Sequence, residues 1–193
     1  MSRDGLRSFS LLELLVVVTV LAILLAIIME GYAGVVQSTA VTTSAAMLDD
    51  ALTQARANAV AQNMTVEVRI YDLPPTVGGT PVYNAMQLHW LKPDGTTPAV
   101  ASPLLLSPWV VIDPTATYSP LIASNPEAAM PDASDSRLNG GTRVFHFLPD
   151  GSTDLNQTTN WFMTVRAANQ SASANWACLR VDPATGRAQV YRP

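Results

Sequence analysis

The chain has 193 residues, a formal net charge of −4 and a sequence pI of ≈ 5.0, which suits one domain of ordinary size with some extra length. Its basic residues are Arg except for Lys92, and they are scattered from Arg3 to Arg192 with no run or stripe, so binding to nucleic acid by phosphate neutralisation is not expected. Cys178 stands alone, which excludes an internal disulfide framework and a cysteine-rich metal site.

The first eight residues, MSRDGLRS, form a short polar leader with Arg3 and Arg7 against Asp4. Leu11 to Ile28 then runs almost unbroken in apolar residues, interrupted by Glu13 and Thr19. As a helix this stretch covers about 27 Å, near the ~30 Å hydrocarbon thickness of a bilayer. Basic residues lie before the run, and only acids (Glu30, Asp49 and Asp50) follow shortly after it. That asymmetry predicts a cytoplasmic N-terminus and an exported body. A cleaved signal peptide would have a shorter apolar core and a small-residue end, whereas Met-Glu-Gly-Tyr follows here. A plain signal anchor fits the length but gives no reason for Glu13. A carboxylate in a bilayer segment costs about 2.5–3.5 kcal/mol at the helix centre and marks a function by default.

No proline interrupts Phe9 to Met64, so one helix is predicted to continue past the membrane half. Val41, Ala45, Leu48, Leu52, Ala55 and Ala59 recur at spacings of four and three and make one apolar stripe. The stripe reads as a seam on the protein's own sheet, or alternatively as a short coiled-coil seam. From Thr65 the period becomes two. Strands are predicted at 65–71, 82–91, 109–112, 142–148, 161–167, 174–181 and 188–191, with Pro-Asp-Gly turns at 93–95 and 149–151. Residues 113–141, rich in Pro, Ser, Asn and Ala, read as a long surface loop or insertion, either a tolerated excursion or a partner contact. The expected fold class is α+β: a long N-terminal helix, transmembrane in its first half, packed on a small antiparallel β body.

His89 and His146 both fall in predicted strands, and His146 faces away from its neighbours Phe145 and Phe147. Each is expected to be solvent-facing or hydrogen-bonded. Cys178 alternates with Trp176 and Arg180 and is expected to be a small buried hydrophobe. Asp150, Asp154 and Asn156 could supply oxygen ligands to calcium, but they lack an EF-hand spacing. No metalloprotease, nucleophile-elbow or phosphate-cradling motif occurs, so neither catalysis, a cofactor nor a metal is expected.

Ser8-Phe9-Ser10-Leu11-Leu12-Glu13-Leu14 resembles the class III signal of type IV prepilins and type II secretion pseudopilins. The resemblance implies cleavage between Ser8 and Phe9 by a prepilin peptidase and N-methylation of Phe9. Glu13 then becomes the fifth mature residue and the assembly register, because a buried carboxylate needs a partner such as an incoming subunit's amino terminus. Ser8 replaces the usual Gly before the cut, and Glu30 stands where major pilins tend to carry Pro. The implied organisation is leader 1–8, transmembrane half 9–29, periplasmic amphipathic half 30–64 and a pilin-like β-rich body 65–193.

Three further elements resemble the H-type minor pseudopilins of type II secretion. They are Leu48-x-x-Ala-Leu-x-x-Ala-Arg-x-x-Ala-Val60, Val144-Phe-His-Phe-Leu-Pro-Asp-Gly-Ser152 and Cys178-Leu-Arg-Val-Asp-Pro-Ala-Thr-Gly-Arg187. The layout also resembles the Verru_Chthon cassette protein D family. These resemblances imply a structural subunit of a secretion pseudopilus or related filament, in the bacterial inner membrane with its body in the periplasm. Its partners would be other pilin-like subunits, the peptidase and the membrane, with no nucleic acid. The other implied class is a minor subunit of a true pilus or DNA-uptake machine with a surface- or ligand-binding body.

Overall fold

A computed structural model describes residues 11–73, 82–125, 127–128, 135, 138, 140–169 and 175–192, without the side chains of 28–33 and 127–128. The chain divides into two compact units, Met1–Val36 and Gln37–Pro193. Helix α1, Leu11–Gln62, begins in the first and ends in the second. In the first unit every described side chain from Leu11 to Ile27 is exposed.

The end of α1 is set by a specific cap. Asn63 adopts φ 50°, the amide of Met64 donates to the Ala59 carbonyl at 3.1 Å, and that of Asn63 donates to Val60 at 3.4 Å. This is a Schellman motif with Asn in the left-handed position that Gly usually takes. It stops the helix two residues before the expected Met64 and turns the chain into the first strand.

In the second unit the six residues of the predicted stripe, Val41 to Ala59, are all buried and belong to the main core. They pack on one face of an antiparallel sheet made of β1 (Val66–Leu73), β2 (Val82–Trp90), β3 (Leu104–Leu105), β4 (Val110–Ile112), β5 (Glu127–Ala128), β6 (Thr142–Phe147), β7 (Trp161–Ala167), β8 (Trp176–Val181) and β9 (Ala188–Tyr191). The order is β5-β6-β1-β2-β4-β7-β8-β9, with β3 beside β2. Val66, Val68 and Ile70 of β1 and Met163, Val165 and Ala167 of β7 contribute to the helix-facing core. This is the alternation the sequence shows in both strands.

The sheet has two halves. β2 and β4 share one register pair, Tyr83 with Ile112, whereas β1 pairs with β2 over its whole length. The same core cluster nonetheless takes in residues from both halves together with α1. The helix therefore spans a seam that backbone bonding alone barely closes.

The segment expected as a surface loop at 113–141 does more than cover surface. Among its described residues are α2 (Pro120–Ala123), with Leu121 and Ile122 in the main core, and β5, which pairs with β6. Leu138 joins Tyr71 and Ala85 in a second small cluster. Tyr71 pairs with Ala85 next to β6 and lies one residue out of phase with Ile70, so this cluster is on the face away from α1. The composition of the segment hid these anchors because each is one or two apolar residues in a polar run. We expect Leu52→Ala, at a fully buried position facing both halves, to lower unfolding stability by about 2–5 kcal/mol in denaturant titrations.

Candidate functional site

Ser8 and Phe9, the expected cleavage and methylation residues, lie outside the described residues. Glu13 lies in the first turn of α1 and is exposed, as are Leu11, Leu14, Val18, Leu21 and Leu25. Among the described residues no helix is long and apolar enough to cross a membrane. The expected span, residues 9–29, runs past both ends of the stretch whose side chains are described, 11–27. An exposed apolar surface of this extent is uncommon on a chain that has a well-packed core elsewhere.

The three short elements that resemble H-type pseudopilins meet at one point. Arg56 of α1 donates from Nε to the Thr185 carbonyl at 2.7 Å and to the Gly151 carbonyl at 3.3 Å. One carbonyl lies in the turn after β6 and the other in the turn between β8 and β9. The two turns also bond directly, the Thr153 amide donating to the Pro183 carbonyl at 2.9 Å. Gly151 and Gly186 have φ of +84° and +62°, and a Cβ on Gly186 would sit 2.1 Å from the Gly151 carbonyl oxygen. The spacing of Arg, Pro-Asp-Gly and Thr-Gly-Arg thus follows from a helix-to-turn junction rather than from a ligand site.

A second cluster lies on the face of the sheet away from α1. His146 of β6, Glu67 of β1 and His89 of β2 form a row across three strands. The amide of His146 donates to Asp154 Oδ1 at 2.8 Å, and its Nδ1 lies 2.6 Å from Asp154 Oδ2. Its Nε2 lies 3.2 Å from Glu67 Oε2. Arg69 Nε donates to Glu67 Oε1, and Arg69 Nη2 donates to Thr97 Oγ1 at 2.8 Å. His89 is buried with Nδ1 2.9 Å from the Thr97 carbonyl.

These contacts set the protonation states. Hydrogen bonds to Asp154 and then Glu67 outweigh burial and push His146 up from 6.5 to about 9. Burial alone would raise Glu67 and Asp154, but the bonds from His146, and for Glu67 also Arg69, hold both below the usual carboxylate range. At neutral pH His146 is a cation donating from both nitrogens. It ties β6 to β1 and to the segment after the turn, and has no lone pair with which to act as a base.

The expectation of a solvent-facing or hydrogen-bonded strand histidine resolves to the second form. The alternating pattern missed Glu67 and Arg69, which it leaves on an outward face. Residues 96–101 cover that face through bonds from Arg69 and Gln87 and through the Val100 amide to Leu88. The available signal was two opposite charges at alternate positions of a strongly β-forming strand.

The residues weighed for calcium are engaged locally. Asp150 Oδ1 accepts from the Ser152 amide at 2.9 Å, Asn156 Oδ1 accepts from the Thr158 amide at 2.9 Å, and Asp154 holds His146. Among the described residues no group of His, Cys, Asp and Glu is placed to hold a metal. Cys178 is half-buried rather than fully buried, and burial raises its thiol above the ordinary range.

No family model and no curated protein matches the chain. Among solved structures it is similar to the minor pseudopilin EpsH from the type 2 secretion system of Vibrio cholerae. The match has 12% identity and a TM-score of 0.49, and covers 79% of this chain and 97% of that one. No function follows from a likeness this distant.

Two outcomes are expected. Because the folded pKa of His146 lies above its unfolded value, its stabilisation is full below about pH 6.5 and is lost as pH rises through about 9. Denaturation midpoints should fall over that interval, and His146→Gln should flatten the decline. Arg56→Ala should cost about 1–3 kcal/mol by removing a charged donor from two carbonyls, read by the same titration.

Proposed function

We propose that the chain is a structural minor pseudopilin-like subunit of a type II secretion pseudopilus or a related type IV filament. Prepilin peptidase cleaves between Ser8 and Phe9 and N-methylates Phe9. Residues 9–29 anchor the new terminus in the bacterial inner membrane, with the body in the periplasm, and α1 assembles with the helices of other pilin-like subunits.

The observation that carries this reading is the character of α1. Its described N-terminal side chains, Leu11 to Ile27, are exposed and almost wholly apolar, and the same helix buries a separate stripe from Val41 to Ala59 in its own body. One end suits a hydrocarbon or helical-bundle environment and the other is fixed to a folded domain. Glu13 supports it further. In an apolar bundle its carboxylate demands a cation, and the amino terminus of a neighbouring processed subunit is the nearest chemistry of that kind. A polar pair of that sort also sets axial register.

Mass spectrometry of the chain extracted from membranes of cells with active prepilin peptidase should show loss of residues 1–8 and a methylated Phe9 terminus. Recovery of an intact Met1 terminus would refute the processing claim. Glu13→Ala should still enter the membrane but co-purify poorly with other filament subunits, and undiminished co-purification would remove Glu13 from the register role.

A further inference from the structure

The two halves of the sheet treat their faces away from α1 differently. Over β1 and β2 that face is closed by residues 96–101. Over β7, β8 and β9 it holds an open slot of ≈ 600 Å³. Its floor is Thr164 beside Cys178, two small side chains paired across β7 and β8. Around them stand Trp176, Phe162, Tyr118 and Tyr191, the last paired with Cys178 from β9. Tyr118 is held there by its carbonyl, which accepts from Thr164 Oγ1. Small residues ringed by four aromatics leave a hole with room for an aromatic side chain and the extended backbone that carries it.

Charge gives the slot a direction. Arg180 stands at one end beside Phe162, is exposed, and donates from Nη2 to Asn160 Oδ1 at 3.4 Å. Among the described residues it meets no carboxylate. Arg180 is the one charged side chain among the described residues that line the slot, in a chain whose total is −4. Cys178 and Arg180 are two residues apart on one strand, so their side chains rise on the same face about 6.6–7 Å apart.

We propose that this slot docks an extended acidic segment of a partner protein, with an aromatic side chain seated over Cys178 and a carboxylate two residues along paired with Arg180. The period of two in an extended chain matches the spacing of the slot and the cation. Rings at the rim supply apolar contact at low entropic cost, and Arg180 selects the register. The site lies in the folded body and stands independently of the filament reading.

The test uses the full-length chain in lipid nanodiscs and two blocked peptides, acetyl-Ser-Phe-Ser-Asp-Ser-amide and its Asn counterpart, titrated by isothermal calorimetry. Saturable binding is expected, with the Asp peptide about threefold to fivefold tighter, as suits one exposed ion pair. Arg180→Gln should abolish that preference, and Cys178→Trp, which fills the slot from the face away from the core, should remove binding of both peptides. Absence of saturable binding, equal affinity for the two peptides, or binding that survives Cys178→Trp would each overturn the proposal. Self-association of the wild-type chain that is lost in Cys178→Trp would give the slot to a second copy instead.

Discussion

A single stripe of small and aliphatic residues on α1 holds the second unit together. Val41, Ala45, Leu48, Leu52, Ala55 and Ala59 are buried in one cluster with residues of both sheet halves. The halves share one register pair between β2 and β4. Backbone bonding across that seam is minimal, so cohesion depends on apolar burial under the helix. The alanines matter for this reason: they permit close approach, and a larger side chain there would push the helix off both halves at once.

The same dependence explains the turns. A helix lying across a seam needs fixing along its length. Arg56 binds the carbonyls of Gly151 and Thr185 near its C-terminal end, and Arg192 Nη2 donates to Ser38 Oγ at 2.8 Å nearer its start. Both fixings reach the end of the sheet formed by β8 and β9. On the opposite face the pair of carboxylates around His146 ties β6 to β1 and to the chain after the turn.

Much of this was legible in the sequence because its signals are periodic. The stripe at spacings of four and three, the alternation in β1 and β7 and the Pro-Asp-Gly turns each follow from local geometry, and they agree with one another. What stayed hidden depends on contacts between distant residues. β3 and β5 have two residues each and carry no period, and α2 is one turn long. Glu67 and Arg69 sit where alternation points outward, and the cover from residues 96–101, together with His146 over Glu67, buries them. The three short elements that converge on Arg56 co-occur in the sequence, while the cause, a helix donor shared by two turns, lies in contacts between residues 95 and 129 positions apart. Glu13 stands out from chemistry alone, since an acid in an apolar run is uncommon, and the structure adds its place in the first turn of α1.

The narrow seam between β2 and β4 has a consequence for how such a body diversifies. Two half-sheets that share little backbone bonding can change their outward faces separately, provided each keeps its apolar side toward α1. One half here carries a covered polar layer and the other a bare aromatic one. The helix acts as a common chassis, and each half-sheet is a panel whose outward face can be refitted away from the turns that join the two.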